Sequence, residues 1–203
     1  MAFATSIGGW QRPALAVGGL GLVSGLLSAT VGYDLELAWL KPVGTIFFLD
    51  AGQVPIGLFY GVAIAIGIWL ATGSAWALPV LPVVVMYAWS AAIQVGIRLQ
   101  RNIDDDPHLI TASLAAGAVG AGITHAGCAI FASDLRRPAR VALTCIVGAV
   151  AGLLLFMGQR KWVDDRLLFA VWQPAVAFCI GLGLGGIPSP RRATSARTGR
   201  GSG

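Results

Sequence analysis

Charge is what this chain lacks. Of its 203 residues only 11% are Asp, Glu, Lys or Arg, against about 25% in an ordinary soluble domain. With 56% hydrophobic residues and a mean hydropathy of +0.77, such a chain could not cover its own surface in water. A soluble fold is excluded and a polytopic membrane protein is implied. Cysteine is scarce as well. Cys128, Cys145 and Cys179 lie far apart inside apolar runs, with no CxxC or Cys/His spacing. That removes a disulfide framework and a zinc site, and leaves three small packing residues. Nucleophile-elbow, Walker and HExxH patterns are missing too, so no enzyme class and no cofactor is indicated. The net charge of +5 would suggest nucleic acid in a soluble protein. Here the arginines sit mostly in loops and tail without base-reading or stacking residues, so their partner is the lipid bilayer and not nucleic acid. No stretch carries the signature of a known family.

What is present is a series of long apolar stretches rich in glycine, of which there are 28. The clearest is Leu109 to Phe131, which holds no Asp, Glu, Lys or Arg and is long enough to cross a bilayer. The pattern predicts an all-α, polytopic transmembrane bundle of six spans, at about 14–33, 54–72, 76–99, 109–131, 141–158 and 167–187. Residues 1–187 form one bundle in this reading, and 188–203 a basic Ser/Gly/Arg-rich tail expected to be disordered. The first apolar run follows Arg12 and precedes Ser28-Ala29-Thr30, as in a signal peptide, but its length favours a retained helix. Residues 34–53 are too polar at their start to span, and read as an interfacial or re-entrant segment. Asp50 and Gln53 look like the N-cap and N3 of the second span, and Asp104-Asp105-Asp106-Pro107 like an N-cap followed by Pro at N1 of the fourth.

Six spans return both termini to one side. The arginine bias places them in the cytoplasm of a bacterial-type inner membrane, with eight Lys/Arg inside (Arg12, Arg136, Arg137, Arg140 and four in the tail) against six outside. GxxxG pairs occur at Gly21/Gly25, Gly57/Gly61, Gly148/Gly152 and Gly181/Gly185. They read as close-packing surfaces within the chain, or else as faces for a homo-oligomer or a membrane-protein partner. The two halves share Pro82 and Pro174 and little else, so no inverted repeat is supported.

Polar groups inside spans are costly and are therefore the candidates for function. Tyr87, Ser90, Gln94 and Arg98 share one face of the third span. Gln173 lies early in the sixth, Asp50 just before the second, and His125 in the C-terminal third of the fourth. At 1.5 Å per residue Gln94 sits about 10 Å beyond its helix midpoint and His125 about 7 Å beyond its own, in opposite leaflets. Asp50, Gln94, Arg98 and Gln173 therefore group at the outer end, and His125 pairs in depth with Thr144. Two expectations follow: a His125–Thr144 hydrogen bond of about 0.6 kcal/mol, and an ion pair between Asp50 and Arg98. Asp104-Asp105-Asp106-Pro107-His108 reads as a helix start more readily than as a metal site. The reading of function is a structural or accessory membrane subunit. The alternative is a small-solute or ion transporter with an outer polar vestibule near Arg98.

Overall fold

The computed structural model of the chain describes residues 11–32, 40–50, 52–100 and 105–185. Among the described residues seven α-helices form: α1 (Gln11–Leu27), α2 (Lys41–Phe47), α3 (Val54–Thr72), α4 (Ala77–Leu99), α5 (Asp106–Phe131), α6 (Pro138–Gln159) and α7 (Leu167–Leu184). All but α2 are long and apolar enough to cross a membrane, α1 with the π-turn Ser28–Gly32 that continues it. The six expected spans are thus present, and the described residues contain no strand. The tail at 188–203, Trp10 and Asp104 lie outside the described residues.

Helix ends follow local chemistry. α3 stops at Gly73, whose φ of +73° suits a residue without a side chain, and whose N–H donates to Trp69 O at 2.7 Å. The short Ser74-Ala75-Trp76 turn then starts α4. Two expected caps differ from the structure. The N-cap of α3 is Gln53, not Asp50, and no side chain caps it; the Asp50 N–H instead donates to Gln53 Oε1 at 3.2 Å. The N-cap of α5 is Asp105, with Asp106 at N1, so Pro107 falls one position later than expected. The Asp105 carboxylate meets the His108 ring at Nδ1, 2.5 Å away in the first turn of α5, and makes no cap bond to the helix backbone.

The spans stand in a ring, each packed on two neighbours, in the order α1, α3, α4, α5, α6, α7 and back to α1. α3, α5 and α7 begin at one end, where α2 lies against α4. At the opposite end is the 3-10 turn Ser133–Arg136, whose Leu135 is fully buried. We call these the α2 end and the Leu135 end. Residues 40–50 do not cross the bundle: α2 is about 10 Å long, and Leu40 and Leu49 at its ends pack on Val54 and Met86, while Ile46 and Phe48 face outward.

Close approach inside the ring is where the glycines act. A side chain at Gly117 would land on the Gly148 carbonyl, and one at Gly152 would meet Ser113 O at 2.5 Å, so α5 and α6 touch backbone to backbone. Between α1 and α7, a Cβ at Gly25 would meet Phe169 O at 2.5 Å. These contacts are van der Waals packing, the main adhesive available between helices in lipid.

The core is uneven along the ring. At the Leu135 end it is filled by Ile64, Ile68, Leu81, Leu135 and Ile180, all at 0% exposure. Toward the α2 end this filling gives way to a cavity.

Candidate functional site

Inward positions of α3, α4, α5, α6 and α7 surround a cavity of about 470 Å³, within the range of small-molecule sites. It runs roughly 20 Å along α4, from Val85 to Gln100, at 1.5 Å per residue. It reaches the surface at the α2 end among Gln53, Gln100, Gln159, Lys161 and Asp165. The walls are apolar or small: Val85, Ala88, Ala92 and Gly96 from α4, and Ala116 and Gly117 from α5. Four aromatic rings stand around it as two edge-on pairs. Tyr60 and Trp172 have centroids 5.5 Å apart, and Trp89 and Phe169 5.7 Å apart.

The rim is polar and internally bonded. Gln100 Nε2 donates to Gln159 Oε1 at 2.9 Å, which joins the ends of α4 and α6. Lys161 Nζ donates to Asp165 Oδ2 at 3.0 Å, and Arg160 pairs with Asp106 beside them. Deeper down the polarity changes character. Tyr60 Oη, Trp89 Nε1, Ser113 Oγ and Thr124 Oγ1 have no hydrogen-bond partner among the described residues, and all four residues border the cavity, but each atom is closed off, with Ser113 and Thr124 at 0% exposure, so the cavity does not present them.

The residues singled out from the sequence divide between this site and others. Gln173 is at its edge, but its amide is engaged: Ser24 Oγ donates to Oε1 at 2.7 Å and Nε2 donates to Ser28 Oγ at 3.0 Å. It ties α7 to α1 and to the π-turn. Gln94 is on another wall, where it shares a smaller pocket with Asp50, Gln53 and Thr45 beneath α2. Arg98 is exposed in the last turn of α4; it does not itself line the cavity, whose lining includes its neighbours Ile97 and Gln100. Nor does Arg98 pair with Asp50; both are exposed and no ion pair joins them. Arg98 lies on the face of Tyr87, which turns toward α2 and stacks edge-on with Phe47 at 5.2 Å, and Gln94 on that face shares the pocket with Asp50. Sequence reasoning did not single out Tyr60, Trp89, Ser113 or Thr124, because each is an ordinary residue in a membrane helix and only its place beside the cavity distinguishes it.

His125 is at the other end, fully buried, and its ring joins three elements. Nδ1 is 2.8 Å from Thr144 Oγ1 on α6, the partner its depth indicated. Nε2 is 2.9 Å from the carbonyl of Leu135, a second partner the sequence did not suggest. A carbonyl only accepts, so Nε2 carries the proton; in the neutral ring Nδ1 accepts from the Thr144 hydroxyl. Arg140 Nη1 reinforces the same corner, donating to Asp134 O at 2.6 Å and Gly183 O at 2.5 Å. Arg136 Nε donates to Ala129 O at 3.0 Å, satisfying a carbonyl in the last turn of α5. The Leu135 turn is thus latched under the filled end of the ring.

Among the described residues, no three His, Cys, Asp or Glu side chains converge as a metal site would require. The molecule is a multi-pass helical membrane protein with an intrabundle cavity open at one end. No family model, curated protein or solved structure matches the chain.

Proposed function

We propose that this protein handles a small solute. It admits the molecule at the α2 end and holds it in the cavity between α3 and α7, as a carrier does when open to one side. The observation that carries this reading is the uneven core, hollow from Gln100 to Val85 and filled from Leu81 to Leu135. The arginine distribution supports placing the open end outside and both termini in the cytoplasm of an inner membrane. Binding or passage is favoured over catalysis. Of the described lining residues, Tyr60 is the sole titratable one away from the rim, and Lys161 and Asp165 at the rim are bonded to each other. Gly21, Gly25, Gly57, Gly61, Gly148, Gly152 and Gly181 all lie against neighbouring helices of the same chain, which favours packing within the chain over faces offered to a partner subunit.

Thiol accessibility tests the reading. In a background with Cys128, Cys145 and Cys179 replaced by alanine, a single cysteine is placed at Ala92 on the cavity wall. A second variant carries one at Ile146, which is 61% exposed on the outer face of α6. A small membrane-impermeant methanethiosulfonate should modify Ala92→Cys from one side of the membrane only and leave Ile146→Cys, which faces lipid, unmodified. Ala92→Cys that stays unmodified from both sides refutes an open cavity.

A further inference from the structure

What the cavity presents to an occupant is hydrocarbon. Below the rim its unpaired polar atoms are closed off, and the Gln173 amide is spent on Ser24 and Ser28. Among the described residues no Asp, Glu, Lys, Arg or His lines it there. The half-buried lining side chains are Trp89, Ile93, Leu155, Leu168 and Trp172. A polar solute or an ion would lose its water in this space and find no partner, which is costly. The hollow narrows with depth, since Val85 and Ala88 are each 1% exposed. Its usable part runs from Gln100 to Ala92, about 12 Å at 1.5 Å per residue. The hydrocarbon of one membrane leaflet is about 15 Å deep, half of the core thickness.

The mouth is polar and balanced in charge, with Gln100 bonded to Gln159 and Lys161 to Asp165. It stands where α4 and α6 end, at the level of lipid headgroups. Beside it lies an apolar approach. The pocket beneath α2 shares Gln53, Ile93 and Ile97 with the cavity and is also lined by Phe48. Phe48 is 75% exposed and Ile97 62%, so apolar surface continues from the outside of α2 to the cavity. In a membrane such residues sit at the boundary of headgroups and acyl chains.

Resting on the small-solute reading above, we infer that the cavity holds the hydrocarbon chain of a single-chain amphiphile, taken from the leaflet at the α2 end, with the polar head left at the rim. The chain is apolar before and after entry, so the gain comes from the walls: hydrocarbon surface that faces water through the mouth becomes covered. The head keeps its water and needs no counter-charge, so a mouth whose charges are bonded to each other suffices. A two-chain lipid is disfavoured. Its second chain would be dragged to the polar mouth and exposed there, at a cost for every methylene.

Photolabelling tests this. The probe is palmitoyl lysophosphatidylcholine, whose head carries no net charge, with a diazirine either at the chain end or beside the head. The full-length protein in phosphatidylcholine nanodiscs is illuminated with increasing probe, and the labelled positions are read by peptide mass spectrometry. The chain-end probe should label Ala92, Ile93 and Trp172 saturably, and the head-side probe Gln53, Gln100 and Gln159. Ile146 and Val150, exposed on α6, should be labelled by both without saturation. Unlabelled lysophosphatidylcholine at roughly ten times the half-saturating concentration should lower cavity labelling by about tenfold, as mass action requires, and leave Ile146 nearly unchanged. Gly96→Phe partly fills the hollow: a Cβ there meets Ala116 Cβ at 3.7 Å, ordinary contact. It should abolish saturable labelling while the unliganded protein unfolds at the same temperature or higher, since a helix-interior glycine is replaced and empty space is filled. Chain-end labelling confined to outward residues, or saturable labelling that survives Gly96→Phe, overturns the inference. If that variant does not fold, the pattern in the unaltered protein decides alone. Ala92→Cys reactivity is measured without the amphiphile, so an open cavity that takes no chain is told apart from a closed one.

Discussion

Replacing His125 by alanine should cost far more than a single interhelical hydrogen bond in a membrane, and the geometry says how much more. Such bonds average about 0.6 kcal/mol and reach about 1.7, which alone would make the substitution mild. The His125 ring, however, has two partners of different kinds. Thr144 is insured against its loss, because its hydroxyl lies 2.9 Å from Arg140 O one turn back and can donate there instead. Leu135 O is not, since His125 Nε2 is its only partner among the described hydrogen bonds and the residue is fully buried. An orphaned buried carbonyl costs about 1–3 kcal/mol, and the space left by the ring, with nothing to collapse into it, adds of the order of 1 kcal/mol more. His125→Ala should therefore lower stability by about 2–4 kcal/mol, the sum of these terms.

Thr144→Val removes the other end of the ring's contacts and leaves the Leu135 bond intact. The loss is then one interhelical bond, about 1 kcal/mol. Unfolding in mixed micelles of increasing denaturing detergent gives both values and, with the double variant, their coupling. The coupling should be close to the worth of the His125–Thr144 bond alone, well short of the full His125→Ala cost. If His125→Ala and Thr144→Val cost the same, the Leu135 latch contributes nothing and the reasoning fails.

Two further outcomes follow from the packing and the rim. Gly148→Val places side-chain atoms against Ala121 and the Gly117 backbone; since backbone cannot yield as a flexible side chain does, the loss should exceed the 1–3 kcal/mol of ordinary overpacking, read as failure to recover monodisperse protein after detergent extraction. Arg98→Asp and Asp50→Arg should each change stability by less than about 0.5 kcal/mol, as surface substitutions do, and the double exchange should show no coupling in the same unfolding assay.

How much of this the sequence carries depends on what each feature rests upon. Six spans are legible because lipid forces every backbone group into internal hydrogen bonds, so a run such as Leu109–Phe131 has no structural choice but helix. The His125–Thr144 bond is legible because antiparallel neighbours joined by a short loop share a depth scale. Capping is less so: Asp50 and Asp105 are good N-cap residues by type, yet α3 begins three residues beyond Asp50, which keeps only the bond from its N–H to Gln53, and the Asp105 carboxylate bonds His108. Asp50 and Arg98 form no ion pair although the face of α4 that carries Arg98 looks toward α2: both side chains are exposed, and shared depth does not by itself make two exposed side chains meet. Leu135 as a partner was invisible because a main-chain carbonyl in a turn has no sequence signature.

The cavity itself has a sequence trace, on the face opposite the one that first draws attention. At about 100° per residue, Gln94 is turned some 200° from Ala92, so the polar stripe Tyr87, Ser90, Gln94, Arg98 marks the side of α4 away from the hollow. The inward stripe is Leu81, Val85, Ala88, Ala92, Gly96. Its side chains shrink step by step from the Leu135 end to the α2 end, from isobutyl to nothing. Leu81 belongs to the filled core, Val85 borders both core and cavity, and Ala88, Ala92 and Gly96 only line the cavity. α5 runs antiparallel beside it and brings small residues to the same hollow, Ala116 and Gly117 among them. A ring of straight helices with inward side chains of constant size would fill evenly from end to end. A helix whose inward residues diminish toward one membrane face, beside a neighbour with small residues there, leaves a cup. Uncharged small residues can make that cup without adding a single charge to the chain, which is why a sequence so poor in charge can still carry a site.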